Sequence, residues 1–344
     1  MSFVEKIKPP DRGRAKELFS LLEGELSGAL RLYWSIASGI LKDSGIKLLD
    51  PASGFLSLER NFFSTLFLYS YHRAGIPQPR RVLYAAINQC LRGMVTGCDN
   101  LLDDEYKPTL ATDLPVTGIR FRSVLDIMIS DRVLFEILLR EFREDPRDAA
   151  LISAASCATL RTLARSGTQE ASEEGGVGEI LDPQTILHSI HPQKTGLLFQ
   201  SPWAVPELME RNLCGTDLSS LKDALFRIGM GCQIMDDMVD LAADIQGRRH
   251  NYILSLIHHG TDPEERIRLQ KALDLGIRAD SKDDFILEFP QALRSSAQAA
   301  QNYLEEGLLA LFAEEYRFLL PPVLEMLAGL IGADRFMLQG GRLC

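Results

Sequence analysis

Two short acidic runs carry the most chemistry in this chain: Asp99-Asn100-Leu101-Leu102-Asp103 and Asp236-Asp237-Met238-Val239-Asp240. Each places carboxylates four residues apart. On an α-helix of about 3.6 residues per turn, that spacing stacks both groups on one face. Like charges so placed repel and weaken the helix. A divalent cation between them removes the conflict. Mg²⁺ suits such a site, because it prefers oxygen ligands and bridges one or two carboxylates to substrate phosphates. Two Asp pairs of this kind have the donors for two or three Mg²⁺ ions around a diphosphate, offsetting charge on a pyrophosphate leaving group. Zinc is disfavoured, since no His or Cys stands at ligand spacing to these residues. The loop sequence of an EF-hand is absent.

The elements that must carry these residues read as helices. Asn88, Arg92, Thr96, Asp99 and Asp103 form one polar seam in steps of three or four. Gln233, Asp236/Asp237, Asp240 and Asp244 form another. Both run along segments otherwise rich in Leu, Met, Val, Ile, Ala and Gly. A helix apolar nearly all round lies inside a larger bundle, where a carboxylate seam is costly unless paired or metal-bound. One such seam alone reads as a solvated face; two in one chain favour a site. Helices are expected over 14–43, 56–74, 79–103, 123–142, 147–166, 185–199 (kinked at Pro192), 217–244, 264–278, 283–315 and 320–332. Residues 104–118 read as a loop, and 168–183 as an acidic Gly-rich loop. Strand signals are sparse and no repeat stands out. No linker marks a boundary, so 1–344 reads as a single all-α domain.

Bulk properties narrow the function. The 344 residues are 46% hydrophobic with a net charge of −10, enough for a sizeable core. The acidity argues against nucleic acid, whose affinity comes from clustered Lys and Arg, and there is no polybasic signal for anionic lipid. No stretch approaches the roughly 20 apolar residues of a membrane-spanning helix, so stable membrane insertion is not expected. The N-terminal 16 residues do not read as a signal peptide. Six scattered cysteines (Cys90, Cys98, Cys157, Cys214, Cys232, Cys344) form no CxxC pair and favour a reduced, cytoplasmic chain.

Gly231-Cys232-Gln233-Ile234-Met235-Asp236-Asp237-Met238-Val239-Asp240, followed by Asp244, Gly247 and Arg248, resembles the second aspartate-rich motif of the trans-isoprenyl (polyprenyl) diphosphate synthases. Lys194-Thr195 matches that family's Lys-Thr pair, whose Lys contacts the diphosphate. Asp99-Asn100-x-x-Asp103 falls at the first aspartate-rich motif. Gly75 through Arg80-Arg81 falls at a Gly-Gly-Lys-Arg segment, and Ser130-Asp131 at a Gly-Asp helix start. The resemblance spans roughly residues 70–256. It implies a class I isoprenoid synthase fold: a single large helical bundle with a central active-site cavity, Asp clusters at its mouth and an apolar tunnel below. It implies a Mg²⁺-dependent prenyltransferase of isoprenoid biosynthesis, acting on prenyl diphosphates. An allylic diphosphate ionises, and isopentenyl diphosphate attacks the cation to give a longer polyprenyl diphosphate. The implied metal ligands are Asp99, Asp103, Asp236 and Asp240. Together with Lys194 they form the implied catalytic set. Arg80, Arg81, Arg92, Lys194, Thr195, Gln233 and Arg248 are the implied substrate-binding residues, and the resemblance also implies a homodimer.

The chain departs from the family pattern at several points. Asn100 replaces the second Asp of the first motif. The Arg-Arg expected after that motif is missing, and only Lys107 lies near. Gln78-Pro79 displaces the Lys of the Gly-rich segment. Arg92 stands where a His helps to bind isopentenyl diphosphate. These last two changes fall on the isopentenyl site. A terpene synthase, or a head-to-head prenyl synthase using Asp240-x-x-x-Asp244, therefore stays open as a second reading; both ionise a prenyl diphosphate without isopentenyl diphosphate. A non-catalytic regulatory subunit fits less well, because such partners lose the carboxylates. Met94 and Val95 stand where bulky aromatics cap the growing chain in elongating relatives, and their absence resembles a tunnel left open for a longer product. His191, His250 and Glu179 carry no site assignment.

Overall fold

A computed structural model describes residues 7, 9–50, 55–141, 148–210, 218–277, 284–339 and 342–343. Cys214 and Cys344, and the outermost residues of some expected helices (Phe142, Arg147, Asp217 and 278), lie outside them. The described chain is all-α: α1 (Pro9–Leu41), α2 (Phe62–Arg73), α3 (Gln78–Leu102), α4 (Ile119–Glu141), α5 (Asp148–Glu173), α6 (Pro183–Thr185), α7 (Leu197–Gln200), α8 (Pro206–Met209), α9 (Leu218–Gly247), α10 (Tyr252–His259), α11 (Pro263–Leu275), α12 (Pro290–Leu311) and α13 (Leu320–Ile331). A two-residue antiparallel pair, Leu338–Gln339 with Arg342–Leu343, follows α13. No helix among the described residues is long and apolar enough to cross a membrane.

Two compact units divide the chain: residues 1–161 with 202–218, and 162–201 with 219–344. In the first, α3 packs on α1, α2 and α4. Gly93 lets α3 and α4 approach: a Cβ there would stand 2.0 Å from Ser130 Oγ, an atom that also lies 3.0 Å from the buried Tyr33 hydroxyl. Tyr71, wholly buried, donates from its hydroxyl to Asn88 Oδ1 (3.1 Å) or Pro202 O (2.7 Å) and packs edge-on against Trp203. In the second unit α9 packs on α12, where a Cβ at Gly307 would meet Ala224 O at 2.7 Å and one at Gly231 would meet Leu304 Cγ at 2.6 Å.

Several boundaries differ from the sequence reading. The segment expected to be one or two helices over 14–43 is a single helix of 33 residues, Pro9–Leu41, that starts five residues earlier and stops two residues short. The second helix starts at Phe62, because Asn61 caps the turn before it by bonding Phe55 O and Ser57 O through Nδ2. α5 continues to Glu173, past the expected stop at Ser166, since Gly176 (φ 76°) is the first residue to take a left-handed turn there. Pro192 has no N–H to donate and crowds the preceding turn. The helix accommodates it by widening into two π turns, Ile186–Ile190 and Pro192–Gly196. Elsewhere the local signals act as expected: Asp182, Asn251 and Asp262 cap α6, α10 and α11 through their side chains, two of them followed by Pro.

Candidate active site

In the first unit the acidic run closes α3. The Asp103 N–H bonds Asp99 O at 2.9 Å, so the two carboxylates stack one turn apart at the negative end of the helix dipole. Both side chains are exposed. Asn100 points the other way and is buried. It accepts the Lys107 N–H (2.9 Å) and donates to Lys107 O (3.2 Å), pinning the loop that leaves the helix. A carboxylate has no N–H to donate, so an amide serves here and an ionised Asp does not. Lys107 itself has a raised pKa, through its hydrogen bond to Glu105 first and with contributions from Asp103 and Asp99.

The cations of this unit fall into two groups. Arg81 is buried and pairs with the equally buried Glu25 through Nε (2.9 Å) and Nη2, while Nη1 bonds Ile76 O. Arg80 pairs with Glu210 (3.0 Å) and Glu141 (3.2 Å) and donates to the Tyr84 hydroxyl. Both guanidiniums are therefore engaged internally. Arg92 is half-buried and donates to Asn61 Oδ1 at 2.7 Å. Burial first, and then the charge of Arg60, lower its pKa. Arg92 thus carries a half-buried guanidinium beside an amide. Asn61 escaped the sequence reading because nothing in its spacing ties it to Arg92, 31 residues away in sequence.

The second unit places its acids in the same way. Asp236 and Asp240 are exposed, one turn apart, in the middle of α9. Asp237 is buried. It accepts the Tyr252 N–H at 2.6 Å, His191 Nε2 lies at 2.9 Å, and Gln233 Nε2 donates at 3.0 Å. Burial alone would raise its pKa; His191, Tyr252 N–H and Lys194 outweigh burial and hold the carboxyl below its usual range. Asp236 goes the other way, pushed up to about 7 by desolvation first and then by Asp240 and Asp237. Although it keeps accessible surface, close protein neighbours surround it, which reconciles exposure with desolvation. Asp244 is pushed up to about 8 by burial and by Asp237, and accepts from Asn251 Nδ2 at 2.8 Å.

Lys194 lies on the second π turn, buried, with Nζ 3.0 Å from Glu173 Oε2. Desolvation would lower its pKa; Glu170, Glu173 and Asp237 together raise it. Glu173 also accepts the His250 N–H at 2.9 Å. The neighbouring Thr195 hydroxyl bonds Gln233 Oε1, and Gln233 Nε2 reaches Asp236 Oδ2 at 3.2 Å. Lys194, Thr195, Gln233, Asp236 and Asp237 thus form one network, which also includes Glu173 and His191. Sequence reading left Glu173 and His191 unassigned, because their partners, Lys194 and Asp237, lie 21 and 46 residues away. Arg248 stands past the end of the helix, exposed, at φ 54°, and its Nη2 donates to Val177 O (2.8 Å) rather than to Asp244.

Among the described residues no three His, Cys, Asp or Glu side chains gather into a metal cage. The donor set in each unit is a pair of exposed carboxylates. That fits an ion such as Mg²⁺, which takes one or two carboxylates and completes its shell with water and substrate oxygens.

No protein-family model matches the sequence, and no curated protein does either. Solved structures do match. The polyprenyl synthase from Caulobacter crescentus CB15, complexed with calcium and isoprenyl diphosphate, aligns at a TM-score of 0.59 and 14% identity, over 96% of this chain and 98% of that one. The geranylgeranyl pyrophosphate synthetase from Pyrococcus horikoshii Ot3 aligns at 0.56 and 16% identity, over 91% and 99%. The octaprenyl pyrophosphate synthase from Helicobacter pylori aligns at 0.56 and 14%, over 90% and 99%. At these identities the likeness shows the fold, and the fold is the all-α one of the trans-isoprenyl diphosphate synthases.

Proposed function

We propose that this chain is a Mg²⁺-dependent prenyltransferase. In this reading it ionises an allylic prenyl diphosphate and condenses it with isopentenyl diphosphate to give a longer polyprenyl diphosphate. One observation carries the proposal. Both acidic runs sort their residues alike: the first and fifth positions (Asp99 and Asp103; Asp236 and Asp240) are exposed, and the second (Asn100; Asp237) is turned inward and fastened by hydrogen bonds. The replacement of Asp by Asn in the first run therefore falls on the inward position and spares the outward pair.

When bound, Mg²⁺ supplies Lewis-acid stabilisation of the diphosphate leaving group. In each unit the paired carboxylates, Asp99 with Asp103 and Asp236 with Asp240, would hold such an ion. Gln233 and Thr195 orient Asp236 from behind. Lys194 has three N–H donors, of which Glu173 takes one; the others serve the diphosphate. Arg92 binds the second diphosphate in place of the family's His. Arg80 and Arg81 brace their own unit. Met94 and Val95, in place of the aromatics of elongating relatives, leave room for a long product. The scattered thiols suit a chain kept in the cytoplasm.

The engagement of Arg80 and Arg81 by Glu210 and Glu25 favours one other reading, a terpene synthase that needs no isopentenyl diphosphate. A product assay separates the two. The purified protein is given Mg²⁺ and C10, C15 or C20 allylic diphosphates, with and without radiolabelled isopentenyl diphosphate. Label in longer prenyl diphosphates is the expected result, lost in Arg92→Ala. Pyrophosphate and hydrocarbon without label would establish the terpene synthase. No release of pyrophosphate from any substrate would overturn both.

The outer face of α4 carries Phe121, Met128 and Phe135 at seven-residue spacing, 58%, 64% and 41% exposed, with Val124 between them. Such a seam pairs well with a second helix of the same kind. We propose that a second copy of the chain covers it, making a homodimer.

A further inference from the structure

Near its end, α5 lines up Ser166, Gln169, Glu170 and Glu173 in steps of three or one residue, so that they share one face. All of them are buried or half-buried, whereas Gly167, Thr168, Ala171 and Ser172 between them are exposed. The polar face of this stretch is turned inward, the reverse of an ordinary surface helix. At its two ends that face meets Lys194.

Ser166 Oγ donates to Lys194 O at 2.7 Å. Glu173, two turns further along α5, receives Lys194 Nζ at 3.0 Å. One helix thus fixes both the backbone of the lysine and the tip of its side chain. The Glu173 carboxylate has supports of its own. Gln169 Nε2 donates to Oε1 at 2.8 Å, and the His250 N–H donates to Oε2 at 2.9 Å. Its orientation therefore does not depend on the lysine. Glu173 is also the last residue of α5, where the Gly176 N–H closes a turn onto Glu173 O at 2.8 Å.

The side chains of Glu173 and Lys194 are 2% and 9% exposed. A pair this buried adds little net stability, because desolvating two charges offsets their attraction. As a brace for the fold alone it does no better than an apolar contact. A long lysine stem, by contrast, loses much rotamer freedom when its ammonium must meet an anion. A stem held in place beforehand binds without that loss.

We infer that Glu173 is a positioning residue for the diphosphate site: with Ser166 it holds the Lys194 ammonium where a diphosphate meets it. The inference rests on the diphosphate reading above and adds to it a residue that acts through the lysine and not on the substrate. The sign of one substitution separates this role from the alternatives. A buried acid that merely sits near the site repels an anion, so neutralising it strengthens diphosphate binding. An acid that competes with the anion for Lys194 has the same sign. A positioning acid has the opposite one.

Isothermal titration calorimetry on the full chain, with inorganic pyrophosphate in excess Mg²⁺, reads that sign. Glu173→Gln weakens pyrophosphate by about tenfold or more, one decade in Kd, although it removes a negative charge. In a Lys194→Met background the same substitution moves the affinity by less than about twofold, because no ammonium is left to hold. Glu173→Asp keeps the charge but withdraws it by one methylene; it also weakens binding, and it serves if the glutamine variant does not fold by circular dichroism. Unchanged or tighter binding in the folded Glu173 variants, or an equal loss with and without Lys194, overturns the inference and leaves the diphosphate site standing. No binding of pyrophosphate to the wild type overturns the diphosphate reading itself, and the inference with it.

Discussion

Asn100 shows how one side chain separates a structural position from a chemical one. It gives and receives a hydrogen bond at Lys107 while its neighbours Asp99 and Asp103 face out. Restoring the family's acid, Asn100→Asp, loses the donor and buries a charge. The expected cost is about 1–3 kcal/mol, read by urea unfolding; an unchanged midpoint would remove Asn100 from that role. Asp126 offers a pH test. It is buried and accepts from Thr109 (3.1 Å) and Tyr106 (3.2 Å), yet burial lifts its pKa from 3.8 to about 6. A carboxyl raised on folding binds its proton more tightly in the native state. Stability is therefore lost as pH climbs from about 4 to about 6, and stays level above. Asp126→Asn removes that slope and gains at pH 7 relative to pH 4. The gain is roughly 3 kcal/mol at most, because each tenfold change in proton affinity is worth about 1.4 kcal/mol. Parallel stability curves for the variant and wild type between pH 4 and 6 would contradict it.

At the scale of elements, the close approach of α3 and α4 depends on Gly93. A methyl group there meets Ser130 Oγ at 2.0 Å and Ser130 Cβ at 3.1 Å. Gly93→Ala is expected to destabilise by about 1–3 kcal/mol. The cost should shrink in a Ser130→Gly background, where both clashing atoms are gone, and a double-mutant cycle reads the coupling. Additive effects would mean that the helices adjust elsewhere. The π turns around Pro192 belong to the same scale. The side chains they carry include Lys194, paired with Glu173, and the adjoining His191, bonded to Asp237.

For the whole molecule, the proposed chemistry makes metal and diphosphate interdependent. Mg²⁺ with a diphosphate analogue should raise the melting temperature far more than the sum of the separate shifts, because each supplies ligands to the other. Asp236→Asn should reduce the joint shift and leave the folded protein intact. Separate, additive shifts in the wild type would count against carboxylate-held ions carrying the substrate. Assembly is tested on the exposed seam of α4: Met128→Asp should turn a dimer into a monomer by sedimentation velocity, and an unchanged species would place any interface elsewhere.

The sequence by itself determined the helical class and the two acidic seams, since each depends on residues within one or two turns of one another. The side-chain caps at Asp182, Asn251 and Asp262 are local in the same sense. It also carried the resemblance whose fold the solved structures bear out. Other features were legible only in part. The extent of α5 and the start of α2 turn on a left-handed glycine and on an asparagine bonded to carbonyls four and six residues back. Tertiary structure alone decided which acid of each run faces outward, because that rests on distant partners: Tyr252 and His191 for Asp237, and the Lys107 backbone for Asn100. It likewise decided that Arg81 is spent on Glu25, 56 residues away, and that Arg92 meets Asn61, 31 residues away. Charges of this kind choose partners through space, and helical periodicity holds no record of which ones they meet.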